Sequence, residues 1–118
     1  MDLVTFEAKS SEALESLTDY FDELVESDPK LSKADVAYSD GVLTVKLGGS
    51  LGTYVINRQT PNRQLWLSSP SSGPKRYDFV DDSWIYKHDG VPLHQLLQDE
   101  LSKALAVNVN FLKLAHKK

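Results

Sequence analysis

Apolar residues Phe6, Ala13, Leu14, Leu17, Phe21 and Leu24 recur at steps of three, four and seven, a spacing that predicts an amphipathic helix over about 4–27, ended by Asp28-Pro29. From Val36 onward the period falls to two. Val36-Ala37-Tyr38, Val42 to Leu47, Thr53 to Asn57, Arg63 to Ser68, Lys75 to Phe79 and Trp84 to Tyr86 read as short strands within 35–87. Turn residues separate them: Asp40-Gly41 as a tight hairpin, Gly48-Gly49 with Gly52, Gln59-Thr60-Pro61-Asn62, the rigid loop Ser69-Pro70-Ser71-Ser72-Gly73-Pro74, and Asp81-Asp82-Ser83. Helical periodicity then returns. Pro92 suits the first position of a helix over 92–106, and Leu93, Leu96, Leu97, Leu101, Ala104 and Leu105 give it one apolar face. Helix, meander, helix predicts an α+β fold, a two-layer α-β sandwich with two helices packed on one face of an antiparallel sheet of about six strands. The tail over 107–116 carries Val109, Phe111, Leu112 and Leu114 and is expected to lie on the core.

At 118 residues the chain fits one domain over 1–118, able to bury about two thirds of its unfolded surface. It contains no cysteine, which removes disulfides, thiolate metal sites and cysteine nucleophiles together. No apolar run approaches the roughly 18 residues of a membrane span, so no membrane partner is expected. The net charge of −4 conceals an asymmetry. Residues 1–40 hold eleven acids against Lys9, Lys30 and Lys33, a balance of −8, while 41–118 hold ten bases and six acids, a balance of +4. An acidic first third disfavours nucleic acid and favours cations or a basic protein surface.

If 63–68 is a strand with Leu65 and Leu67 facing the core, alternation turns Gln64, Trp66 and Ser68 to the other face. Asn57, Arg58, Gln59, Asn62, Arg63 and Gln64 all precede Trp66. Directional hydrogen-bonding groups around a large aromatic are the make-up of a protein-binding hot spot. Spacing alone leaves open whether the indole meets a partner or is covered by a loop.

On the first helix Glu12, Glu15, Asp19, Asp22, Glu23 and Glu26 are spaced by three and four, one stripe opposite the apolar face. Like charges so spaced cost roughly a few tenths of a kcal/mol per pair, and only Lys9 is interleaved to offset them. Either the stripe serves solubility, or it is a shallow, weak site for hard cations or a docking surface for a basic partner. The Glu-x-x-His pairs of a di-iron centre are absent. His88, His94 and His116 read as surface residues, and no Ser-His-Asp order, phosphate loop or paired-carboxylate cleft stands out.

The strings GVLTVKLGGSLGTYVINRQTPNRQLWLSSPSSGPKRYDF, then Trp84, then HDGVPLHQLLQDEL, resemble the frataxin family, in its animal rather than its bacterial type. The likeness runs from about Leu14 to Leu105 and is most specific over Asn57–Trp66 and Ser68–Arg76. It implies an iron-binding accessory protein of iron–sulfur cluster assembly in the mitochondrial matrix, the transit peptide removed. This protein would activate the complex of cysteine desulfurase and scaffold by accelerating persulfide transfer, with a role as Fe²⁺ chaperone, in iron homeostasis and in heme biosynthesis. The alternative ascribed to the family is ferroxidase and iron storage, oxidising Fe²⁺ to Fe³⁺. The resemblance assigns partner contact to Asn57, Gln59, Asn62, Arg63, Gln64, Trp66 and Arg76. It assigns iron, weakly held at the surface as Fe²⁺ or Fe³⁺, to Glu7, Glu12, Glu15, Asp19, Asp22, Glu23, Glu26 and Asp35. No catalytic residue, cluster or organic cofactor is implied, and the expected state is a monomer, with oligomerisation in the presence of iron left open. Arg58 and Arg63 stand where lysine is common, and Ser11, Ser32 and Lys33 where acids are common, so the acidic ridge is thinner here at both ends.

Overall fold

The computed structural model describes residues 1–107 and 109–111. Helix α1 spans Leu3–Ser27. Asp2 caps it, its Oδ1 accepting the Thr5 N–H at 2.7 Å, and Pro29 stops it by pushing Asp28 into extended backbone. A short 3-10 turn, Pro29–Leu31, leads into strands β1 Asp35–Ser39, β2 Val42–Lys46, β3 Thr53–Gln59, β4 Gln64–Ser69, β5 Gly73–Val80 and β6 Ser83–Tyr86, and the chain then enters helix α2, Leu93–Leu105. The six strands pair in sequence order, every pair antiparallel.

The pleat sends Leu43, Val45, Tyr54, Ile56, Leu65, Leu67, Tyr77 and Trp84 to one face, where all are buried. Phe6, Leu14, Leu17 and Phe21 of α1 and Leu93, Leu97, Leu101 and Leu105 of α2 meet them there. Each such side chain contributes about 1.5–3 kcal/mol through burial. Phe6 meets Trp84 edge-on at 6.1 Å between ring centroids. The C-terminal ends of the helices are tied where Lys30 Nζ donates to the Leu105 carbonyl. Val109 and Phe111 of the tail are buried, Phe111 against Tyr20 and Phe21, while Leu112, Leu114 and His116 lie outside the described residues.

Four details depart from the sequence reading. Arg63 is not the first residue of a strand: it closes the turn after β3 in left-handed backbone, φ 55°. Six residues are not needed to join β4 to β5, because Ser69 pairs with Gly73 and only Pro70-Ser71-Ser72 form the turn. Pro92 precedes α2 in extended backbone as its N-cap, held by a bridge to Ile85. His94 is buried rather than at the surface, because the first turn of α2 presses onto the sheet.

Gly52, at φ 84°, is required for space as well as backbone, since a Cβ there would stand 2.5 Å from Pro70 Cβ. Gly52→Ala is therefore expected to destabilise the protein by about 2–4 kcal/mol through strain and overpacking, read from urea unfolding midpoints. At the helix start, hydrogen bonds from Thr5, hydroxyl ahead of backbone N–H, hold the Asp2 carboxyl below its ordinary value of 3.8. A carboxylate depressed on folding adds stability above its unfolded pKa and loses it as pH falls through the folded one. The thermal stability gap between the parent and Asp2→Ala should thus be open at neutral pH and close as pH drops below 3.8.

Candidate functional site

The face of the sheet turned away from the helices carries the other half of each strand's alternation. Strand register lines its residues into rows: Val42, Asn57, Trp66 and Arg76 in one, Gln59, Gln64, Asp78 and Ile85 in the next, Val55, Ser68 and Pro74 in a third. Trp66 is half-buried at the middle of this strip. What covers it is a side chain, not a loop: the Arg76 guanidinium lies 4.6 Å from the ring centroid. Such a cation–π contact is worth about 0.5–1 kcal/mol at an exposed site. The indole edge is held as well. Trp66 Nε1–H donates to Gln64 Oε1 at 2.8 Å, and Gln64 Nε2–H donates to Asp78 Oδ1 at 3.2 Å. Asp78 in turn pairs with exposed Lys87 at 3.8 Å. The result is a preoriented aromatic beside an open groove of about 590 Å³, lined among others by Asn57, Gln64, Trp66, Arg76, Lys87 and His88.

Of the residues read as partner-binding, the structure brings Asn57, Gln59, Gln64, Trp66 and Arg76 onto this one face. Asn62 and Arg63 sit beside it in the turn after β3, Asn62 exposed and the Arg63 guanidinium turned back onto the Thr60 carbonyl. Arg58 goes the opposite way. It crosses to the helix layer, where Nε donates to Ser10 Oγ at 3.1 Å and Nη2 to Ser11 Oγ at 2.5 Å. Sequence reasoning gave Asp78 and Lys87 no role and read His88 only as a surface residue. Alternation from Arg76 would have found Asp78, whereas Lys87 and His88 lie past the last strand, where no period applies.

All eight acids assigned to iron are exposed. Glu12, Glu15, Asp19, Asp22, Glu23 and Glu26 do share the face of α1 opposite its buried side, but Glu7 does not. At about 100° per residue it falls on the flank of the helix, outside that stripe. Asp35 begins β1, an edge strand. Lys9 meets Glu12 at 3.9 Å, and among the described residues no three Asp, Glu or His side chains converge as a metal-holding group. The stripe can therefore attract a hard cation and leave most of its coordination to water.

A polar cluster ties the β4–β5 turn to α2: Tyr54, Ser69 and Ser72 all donate to Glu100. Burial first, then Glu100, raises the Tyr54 hydroxyl far above its ordinary value, and burial does the same to Tyr77. Neither phenol can act as a base near neutral pH.

Residues 1–107 match the frataxin-like domain family. The mitochondrial frataxin homolog of Drosophila melanogaster is 58% identical over 121 residues, covering 98% of this chain and 64% of the relative. Mitochondrial frataxin of Caenorhabditis elegans is 51% identical over 102 residues, covering 86% and 75%. The chain thus spans about two thirds of the fly relative's length. Trimeric frataxin of the yeast Saccharomyces cerevisiae, complexed with ferrous iron, superposes with a TM-score of 0.75 at 40% identity, covering 83% of this chain and 86% of that one.

The two faces of the sheet should respond differently to truncation. Leu67→Ala, on the buried side, is expected to cost about 2–5 kcal/mol. Arg76→Ala, on the open side, should cost no more than about 1 kcal/mol, both read from chemical denaturation.

Proposed function

The chain belongs to the frataxin-like family, and we propose that it activates the mitochondrial cysteine desulfurase–scaffold complex of iron–sulfur cluster assembly by accelerating persulfide transfer. It is a mitochondrial protein, as its named relatives are, and the matrix is the compartment this role requires. The observation that carries the reading is the preoriented Trp66, stacked under Arg76 and fixed at its N–H by Gln64, on a sheet face of mixed polar and apolar residues. A rigid aromatic with its neighbours already satisfied loses little entropy on docking, which is how a binding anchor gains affinity. With no cysteine, the chain cannot carry the sulfur itself. Its part is to bind, with Asn57, Gln59, Asn62, Arg63 and Gln64 around the anchor, and so to reorient the scaffold residue that receives the sulfur.

Iron enters as cargo or regulator. A yeast relative has been solved in complex with ferrous, and here the exposed acids of α1, with Glu7 and Asp35 as flanking members, suit a hard cation held loosely. The same stripe would meet basic residues of the desulfurase, in a contact that weakens as salt rises. That ferrous trimer also favours a second reading, ferroxidase and iron storage. Oxygen chemistry on iron needs a defined inner shell, which the spread of acids along α1 does not offer.

Trp66→Ala is expected to lower affinity for the purified complex by about 2 kcal/mol or more and to remove most of the acceleration of persulfide transfer, with Asn57→Ala intermediate. Parent-like acceleration by both variants would sink the sheet-face reading. Oxygen consumed per Fe²⁺, before and after neutralising Glu15, Asp19 and Asp22, separates the second reading: stoichiometric turnover lost on neutralisation would establish it over the first.

A further inference from the structure

Glu100, half-buried on α2, gathers donors from three places in the sheet. The Tyr54 hydroxyl at the start of β3 and the Ser69 hydroxyl at the end of β4 donate to Oε1 at 2.8 and 2.6 Å, and the Ser72 hydroxyl in the β4–β5 turn donates to Oε2 at 2.6 Å. Ser69 Oγ also accepts the backbone N–H groups of Ser71 and Ser72 at 3.0 and 3.1 Å. Its one donor and both acceptor positions are then committed, so the hydroxyl cannot rotate. On the other side of the turn, Pro70 abuts Gly52. A turn of three residues is thereby fixed by a carboxylate from the opposite layer.

That turn sets the register of β4 against β5, since hairpin pairing follows from turn geometry. The Ser69–Gly73 rung closes it, and the Trp66–Arg76 rung stands three further along the same ladder. We propose that Glu100 is a positioning residue for the partner-binding face, clamping the β4–β5 turn so that Arg76 stays over the Trp66 ring. The proposal rests on the sheet-face reading given above. A carboxylate suits the role because it accepts at two oxygens and donates nowhere, so three hydroxyls can point at it together. Glutamine keeps most of this. Its oxygen still accepts from Tyr54 and Ser69, while its NH₂ donates to a Ser72 hydroxyl that turns to accept. Alanine keeps none of it.

The experiment compares parent, Glu100→Ala, Glu100→Gln and Ser72→Ala in two measurements: nitrogen–proton NMR of the Trp66 indole N–H and Arg76 Nε–H, and affinity for the purified desulfurase–scaffold complex. Glu100→Ala is expected to shift both resonances and weaken binding about tenfold while the protein remains folded, and Glu100→Gln to restore affinity to within about threefold of the parent. Ser72→Ala, at an exposed turn position, should move the same resonances less. Parent-like resonances and affinity in folded Glu100→Ala would overturn the clamp, as would Glu100→Gln being as damaging as Glu100→Ala. Should Glu100→Ala not fold, Ser72→Ala decides alone: displaced Trp66 and Arg76 resonances support the clamp, unmoved ones refute it. Trp66→Ala is measured alongside. If it binds like the parent while Glu100→Ala displaces the Trp66 resonance, the clamp stands and the sheet-face reading fails. If Trp66→Ala binds weakly and Glu100→Ala is unaltered, the clamp fails and the reading stands.

Discussion

Both helices packing on one face of the sheet is the constraint from which the rest of this protein follows. Burying Phe6, Leu14, Leu17 and Phe21 from one helix and Leu93, Leu97, Leu101 and Leu105 from the other uses the inward half of every strand's alternation. The outward half is then left without a second layer. A sheet with one free face either spends it on solvent or on a partner. Here it bears a tryptophan at its centre, clamped by an arginine above and a glutamine at its edge, beside a groove. The same packing decides the other surface, because seating the apolar side of α1 on the sheet leaves its acidic side as far from the core as a helix allows.

These two surfaces differ in kind. The sheet strip is organised by short directional contacts, Trp66 to Gln64 to Asp78, and suits a partner that must be met in one orientation. The α1 stripe is a field rather than a site. Its carboxylates repel at the level of a few tenths of a kcal/mol per pair, and a cation or basic surface relieves that repulsion without demanding geometry. Arg58 joins the elements that carry them, leaving β3 between Asn57 and Gln59 to reach Ser10 and Ser11 of α1. Shape recognition on one side and charge on the other are the two means that the proposed docking would use.

Most polar groups between the layers find partners there. Glu100, Tyr54, Ser69 and Ser72 answer one another, whereas the Tyr77 hydroxyl is buried with no hydrogen-bond partner among the described residues. Burying a hydroxyl unpaired is costly, so the gain from burying the rest of the Tyr77 ring offsets it at that position.

Much of the architecture was legible along the chain because it depends on local periods. A period of 3.6 in Phe6 to Leu24 and of two from Val36 to Tyr86 states which side of each element is apolar, and apolar sides must meet. Asp28-Pro29 and Asp40-Gly41 act through their own backbone and mark boundaries without help. The alternation also placed Trp66 opposite Leu65 and Leu67. Other features needed the tertiary structure. Whether Arg63 lay in strand or turn depended on how β3 and β4 came into register. That Arg76 would cover Trp66, Arg58 would turn inward, and Glu100 would hold a turn 28 residues away from it at Ser72 are contacts between segments distant in sequence. The sequence by itself determined the faces, since periodicity is a property of neighbours. Only the fold determined the pairs, since long-range register and layer packing choose which side chains come within hydrogen-bond reach.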